Sequence, residues 1–244
     1  MMHPRVIIVK FLRLLRINKI VSKIYYKHFH GFNSAGGNAL PKAIEKCFNK
    51  AVDFGTADKG DYCEFGIFKG YTFAYANNYA KKINIRKMRF FGFDSFQGLP
   101  EIEGVDITNE MPFYKGQYSA GKEQVVRDID KTGVDWSKIH LVEGFFSDSL
   151  NSETRKKYSM TKIPLALIDC DLHSSTVEVL NFIQNMIIDK SILLFDDWNT
   201  FDKDNARGQR KAFSDFLDTN KNITAEEYFS YGAWGKVFIM NLKN

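Results

Sequence analysis

At 244 residues, 44% apolar and 15% aromatic, the chain has ample material for one large folded domain or two small ones, which excludes an intrinsically disordered protein. The formal charge of +5 is local: Arg5, Lys10, Arg13, Arg16, Lys19, Lys23 and Lys27 lie within residues 4–30 with no acid among them, and removing that +7 leaves −2, so the body is not a basic nucleic-acid binder. No uncharged apolar run reaches the roughly 18 residues of a membrane span, and Cys47, Cys63 and Cys170 form no metal-binding spacing.

In chain order, the first element expected is a basic amphipathic helix or helix pair. At 100° per residue, six of the seven basic residues fall within about 120°, Lys10 being the exception. Such a segment either faces a membrane surface or glycolipid, or packs on the domain with a solvated face. Its apolar stretch is broken by Lys10, Arg13 and Arg16 and lacks a small-residue cleavage site, which argues against a secretory signal. A cytoplasmic protein is expected, with this segment able to touch the inner membrane surface. "HGFNSAGGN" then reads as a joint before a helix from Leu40 to about Val52, giving an N-terminal segment, 1–52, and a main domain, 53–244.

From Asp61 onwards apolar, strand-like runs ("YCEFGIF", "RFFGFDSF", "KIHLVEGFF", "PLALIDCDL", "SILLFDDW") alternate with helix-length stretches such as "YTFAYANNYAKKI" and "STVEVLNFIQNMI". This alternation predicts an α/β, doubly wound, mostly parallel sheet with helices on both faces. After a helix at "RGQRKAFSDFLDT", the runs "AEEYFSYG" and "WGKVFIMNL" are too close for a crossover and must pair antiparallel, which makes a seven-stranded sheet whose last strand is antiparallel. Residues 97–121 carry several glycines and prolines and form a long connection of the kind that serves as a lid or binding loop.

The chemistry gathers at strand ends. In "CEFGIFKGYTFA", Glu64 and Gly66 end the first strand and Gly70 opens a helix, a spacing that differs from G-x-G-x-x-G but suits a tight turn and a ligand at a helix N-terminus. Asp94, ending the second strand, can accept from both hydroxyls of a ribose, the alternative being a turn-forming Asp before Ser95; with the glycine turn it favours an adenosine-type ligand lying across the strand ends. "PLALIDCDLHSST" and "SILLFDDWN" end in Asp169, Asp171, Asp196 and Asp197. A parallel sheet brings these ends to one edge, where convergent carboxylates repel unless they are protonated or bridged by a cation, and an all-oxygen ligand set suits Mg²⁺ or Ca²⁺, with Mn²⁺ as a third choice. One of these acids, Asp171, could instead cap the following helix. His173 could be a base, a metal ligand, a group supporting either, or a polar packing residue.

Together "CEFGIFKGYTFAYA", "FFGFDSFQGLPE", "VEGFFSDSL", "LIDCDLHSST" and "LLFDDW" resemble, in this order, the class I S-adenosylmethionine methyltransferases of the macrocin O-methyltransferase type, over about Asp61 to Leu242. The resemblance implies metal-dependent methylation of a hydroxyl on a sugar or glycosylated small molecule. It places the methionine part of the cofactor at Glu64, Gly66, Gly70 and Thr72, its ribose at Asp94 and Ser95, and its adenine beside Gly144 and Phe145. Asp169 borders the cofactor and, with Asp196 and Asp197, would bind a divalent metal, Mg²⁺ being expected. Asp171 falls where the base of such enzymes lies. His173 stands where a tyrosine is usual, so it is the rival for that role. The expected partner is a sugar-containing acceptor and no nucleic acid, with a homo-oligomer left open. Two other readings of the same acids are a metal-dependent hydrolase or phosphotransfer enzyme and a non-catalytic nucleotide-binding module.

Overall fold

A computed structural model describes residue 32 and residues 39–108 and 113–243. The basic segment of residues 4–30 and most of the glycine-rich joint lie outside the described residues.

Helix α1, Ala39–Asp53, buries Leu40, Ala43, Ile44, Cys47, Phe48 and Ala51, an i, i+3, i+4 stripe that lays one face on the sheet. It stops at Gly55, whose φ of +64° suits a helix C-terminus. β1 (Tyr62–Phe65), β2 (Phe90–Asp94) and β4 (Ile163–Ile168) are central, and nearly every residue in them is buried. Strands covered on both faces read as continuous apolar runs, which is why these three were legible as strands. Between them come α2 (Tyr71–Lys82), α3 (Lys122–Asp130), β3 (Ile139–Glu143) and two short helices, α4 (Phe146–Ser149) and α5 (Ser152–Lys157). The chain continues through α6 (His173–Ile183), β5 (Ile187–Phe195), α7 (Gly208–Thr219), β6 (Ile223–Tyr231) and β7 (Gly235–Leu242).

The strand order is β3-β2-β1-β4-β5-β7-β6; β7 pairs antiparallel with both neighbours, and the pairs among β1 to β5 are parallel. The expected antiparallel last strand is therefore present, and it inserts between β5 and β6. Alternation along each strand divides the core. Tyr62, Leu165, Leu167, Ile192 and Leu194 pack under α1, α2 and α3, whereas Cys63, Phe65, Ala166, Ile168 and Phe195 pack under α6 and α7. The helix expected to run to Ile187 ends at Ile183, because Ile187 already pairs with Ile163 and a register shift follows. All three cysteines are free and buried. Among the described residues no helix is long and apolar enough to cross a membrane.

The order reverses between β1 and β4, and the crevice at the carboxyl ends of strands on either side of such a reversal is where open α/β sheets hold ligands. A third, small cluster, Phe113, Leu172 and Phe201 with Leu99, Ile102 and Tyr118 against it, ties the connection after β2 to this edge.

Candidate active site

Glu64, third of the four residues of β1, is fully buried, with each carboxylate oxygen engaged by one hydroxyl: Tyr62 donates to Oε2 and Thr72 to Oε1, both at 2.6 Å. Burial raises its pKa from 4.5 to about 7; the two hydroxyls pull it back and Asp196 and Asp94 add to the rise. Gly66 and Gly70 have φ of +86° and +83°. A Cβ on Gly66 would lie 1.9 Å from the Asp169 carbonyl oxygen, and one on Gly70 would lie 2.6 Å from Ile129. Glycine is thus demanded at both positions by the protein's own packing as well as by the turn.

Asp94 organises two turns at once. Its Oδ2 accepts from the Ile67 and Phe68 amides, each at 2.9 Å, and its Oδ1 from the Phe96 amide at 2.7 Å. Phe68 and Phe96 hold φ of +47° and +55°, which bulky side chains avoid unless something compensates them, and a charge-assisted bond to Asp94 compensates each. Burial raises the Asp94 pKa, opposed by these three amides. Ser95 is buried and committed to the next turn, donating to the Gly98 carbonyl at 2.8 Å and accepting from the Gln97 amide at 3.0 Å. Gly144 follows β3 with φ of +140°, its amide bonded to the Asp94 carbonyl at 3.0 Å, and half-buried Phe145 leads into α4.

The remaining acids stand on the ends of β4 and β5. Carboxylate oxygens of Asp169, Asp196 and Asp197 lie within 4.8 Å of one another. Asp171 sits at the apex of a three-residue turn, with φ of +59° and the Leu172 amide bonded back to the Cys170 carbonyl at 2.6 Å. A γ-turn with positive φ is the rare, strained hand. It is secured by the Asp171 amide, which donates to Asp197 Oδ2 at 2.9 Å. Burial raises the pKa of all four, helped at Asp169, Asp171 and Asp197 by the neighbouring acids; Asp171 reaches about 7 and Asp196 about 6. Among the described residues no lysine or arginine forms an ion pair with Glu64, Asp94, Asp169, Asp171, Asp196 or Asp197.

Asp171 does not cap the next helix. That carboxylate comes from the long connection: Asp106, in a 3₁₀ turn (Gly104–Asp106), accepts from the His173 amide at 2.7 Å and the Ser174 amide at 3.1 Å and is itself buried. His173 opens α6 with its Nε2 enclosed and without a partner, and it is outside the three-acid cluster. Sequence reading also missed Gln209 of α7. Its amide group bridges the β4 and β5 ends, accepting from the Asp197 amide at 3.0 Å and donating to the Ile168 carbonyl at 3.0 Å. Asp106 and Gln209 have no local signal, since their partners lie 67 and 12 residues or more away. The remaining signal is chemical: Gln209 is a polar residue on the apolar stripe of α7.

Sheet order and the acids at its reversal point define a methyltransferase-type α/β domain. The profile of the macrocin O-methyltransferase family (TylF) matches residues 35–227, and the chain belongs to that family of O-methyltransferases. The hydrolase and nucleotide-binding-module readings thereby fall away. No curated protein sequence matches the chain. Among solved structures it is similar to the O-methyltransferase NovP, with TM-score 0.69 and 17% identity over 82% of this chain and 79% of that one. It is also similar to the calicheamicin methyltransferase CalS11, with TM-score 0.64 and 18% identity over 82% and 77%. A third is an O-methyltransferase from Bacillus cereus in complex with SAH, with TM-score 0.51 and 10% identity over 92% and 97%. At these identities the likeness establishes the fold.

Proposed function

We propose that the protein transfers a methyl group from S-adenosylmethionine to a hydroxyl of a sugar or glycosylated small molecule, with a divalent cation, Mg²⁺ by ligand type, at Asp169, Asp196 and Asp197. The observation that carries this reading is the set of six acids at one sheet edge with no basic partner among the described residues. Such a set fits a cationic cofactor on the β1 side and a hard metal on the β4–β5 side. CalS11 is described in one structure, TM-score 0.57, as a TDP-rhamnose 3′-O-methyltransferase, and the Bacillus cereus neighbour holds SAH; both support the acceptor class and the donor proposed here.

Bound S-adenosylmethionine would supply an electrophilic sulfonium methyl, and a bound cation would acidify and orient the acceptor hydroxyl. The chain's own residues do the rest. Glu64, held by Tyr62 and Thr72, faces the methionine part. Asp94 keeps the Gly66–Gly70 turn and the Phe96 turn in register and retains acceptor capacity on Oδ1 for a ribose hydroxyl. Gly144 and Phe145 border the adenine, and Ser95 shapes the adjoining wall. Asp171, raised to about 7, is suited to take the hydroxyl proton near neutral pH, and its amide link to Asp197 keeps base and ligand in fixed relation. His173, held through its main chain, is the alternative proton acceptor. In the connection after β2, Leu99, Ile102, Phe113 and Tyr118 pack with Leu172 and Phe201, which supports a role for it on the acceptor side of the crevice. The basic residues of the N-terminal segment suit either a contact with a membrane surface or glycolipid in the cytoplasm or the solvated face of an added helix.

Calorimetry with S-adenosylmethionine and SAH, followed by methyl-transfer assays on nucleotide sugars and glycosides with and without EDTA, tests the reading. Binding of both ligands and loss of turnover on chelation are expected. Undetectable ligand binding removes the donor, and EDTA-resistant turnover removes the metal.

A further inference from the structure

The acid cluster has a neighbour that none of its motifs contains. β7 lies between β5 and β6, and its register sets Lys236 opposite Phe195 on one side and Gly235 opposite Tyr231 on the other. Asp196, the residue after Phe195, therefore comes level with Gly235, with Tyr231 one strand beyond. A Cβ on Gly235 would fall 2.3 Å from the Tyr231 ring, so the ring lies across the glycine backbone and the missing side chain opens a path from β6 to β5. Tyr231 is 9% exposed, and its hydroxyl is fully enclosed without closing a hydrogen bond of ordinary geometry. Asp196 and Asp169 are nonetheless close enough to act on it electrostatically.

A buried hydroxyl with no acceptor costs about 1–3 kcal/mol, so its retention beside two carboxylates calls for a partner. We propose that Tyr231 is a positioning residue of the cation site, its hydroxyl donating to the Asp196 oxygen turned away from the ion and fixing which oxygen faces it. The proposal rests on the metal reading above. Carboxylate ligands are generally held by such outer hydrogen bonds, and losing one weakens metal binding about 10–100-fold. Gly235 is then part of the device, because only glycine lets the ring cross β7.

The test is titration of Mn²⁺ or Mg²⁺ into the full chain by calorimetry. Tyr231→Phe keeps the ring and removes only the hydroxyl. It should weaken metal binding about 10–100-fold, leave S-adenosylmethionine affinity unchanged, and recover turnover when metal is saturating. Gly235→Ala, which displaces the ring, should weaken metal binding in the Tyr231 background and add nothing in the Tyr231→Phe background. Equal metal affinity in wild type and Tyr231→Phe overturns the proposal alone, as does a Gly235→Ala effect of the same size in both backgrounds. A wild-type chain that binds neither metal overturns the metal reading and this proposal together.

Discussion

The two ends of one sheet treat buried acids in opposite ways. At the amino end, Asp61 precedes β1 and is 3% exposed, but Arg89 meets it with two nitrogens, each at 2.8 Å, and anchors itself on the Tyr158 carbonyl at 2.7 Å. At the carboxyl end Glu64 and Asp197 are buried and Asp94, Asp169, Asp171 and Asp196 half-buried; they share hydroxyls, amides and one another, and no described basic side chain forms an ion pair with any of them. A carboxylate largely withdrawn from water is matched by an arginine of the fold at one end and, among the described residues, by no cation at the other. A buried acid is thus informative about function through its partner set more than through its burial.

The strongest way to break this comparison is Asp171→Asn. If the carboxyl edge serves chemistry while the amino edge serves folding, turnover should fall by about 10²–10⁴ with metal binding, S-adenosylmethionine binding and thermal midpoint near wild type. Kinetics and calorimetry on one preparation decide it; a fall in stability matching the fall in turnover would make the strained turn structural. If His173→Ala loses turnover and Asp171→Asn does not, the base is His173.

The comparison sharpens with pH. The carboxyl-edge acids have raised folded-state pKa values, Glu64 and Asp171 about 7 and Asp196 about 6, so between the ordinary carboxylate range and about pH 7 the folded chain binds more protons than the unfolded one. Stability from these groups is full at low pH and is lost as pH rises through those values. In EDTA the midpoint of thermal unfolding, other groups aside, should therefore fall as pH rises from about 5 to about 8. Saturating Mg²⁺ should flatten the slope, because cation and protons compete for the same oxygens. Scanning calorimetry across that range checks both; an EDTA profile identical to the Mg²⁺ profile would uncouple the acids from the metal.

The smallest expected effect is at Asp106→Ala. Losing the carboxylate that caps α6 should cost about 1 kcal/mol, within the usual ~0.5–2 kcal/mol of an N-cap. Hydrogen exchange should quicken at His173 and Ser174 and in the 3₁₀ turn, with no change at Asp61 or Arg89. Unchanged exchange at the first turn of α6 would mean that the cap is idle.

Much of this architecture was readable because parallel strands and their helices announce themselves by apolar runs and periodicity, and because Glu64, Asp94, Asp169, Asp171, Asp196 and Asp197 each lie in such a run or within three residues of its end. What was not readable depends on distance in sequence. The insertion of β7 between β5 and β6 is a choice of pairing partner with no local pattern. Helix α3 has only Val125 and Ile129 buried, too few to mark a period. Ile187 and Ile188 suit a helix or a strand equally, and pairing with Ile163 decides for the strand. Asp106, Gln209 and Tyr231 reach the site from other elements, so no motif could contain them. The left-handed Phe68 and Phe96 are held there by a carboxylate, which residue type alone would never suggest.

Asp106 also bears on how this protein can be re-engineered. The helix that follows the Asp171 turn lacks a side-chain cap of its own and borrows one from a connection about 67 residues earlier in the chain. Loop 97–121 is therefore not an exchangeable cassette. Grafting another loop in its place, to alter what the crevice accepts, would remove the carboxylate from the start of α6 and loosen the turn beside it, so a chimera could lose turnover even if its new loop bound the intended acceptor well. A successful graft must carry an acid that lands on the His173 and Ser174 amides, which makes one aspartate in the loop a design constraint independent of every residue chosen for specificity.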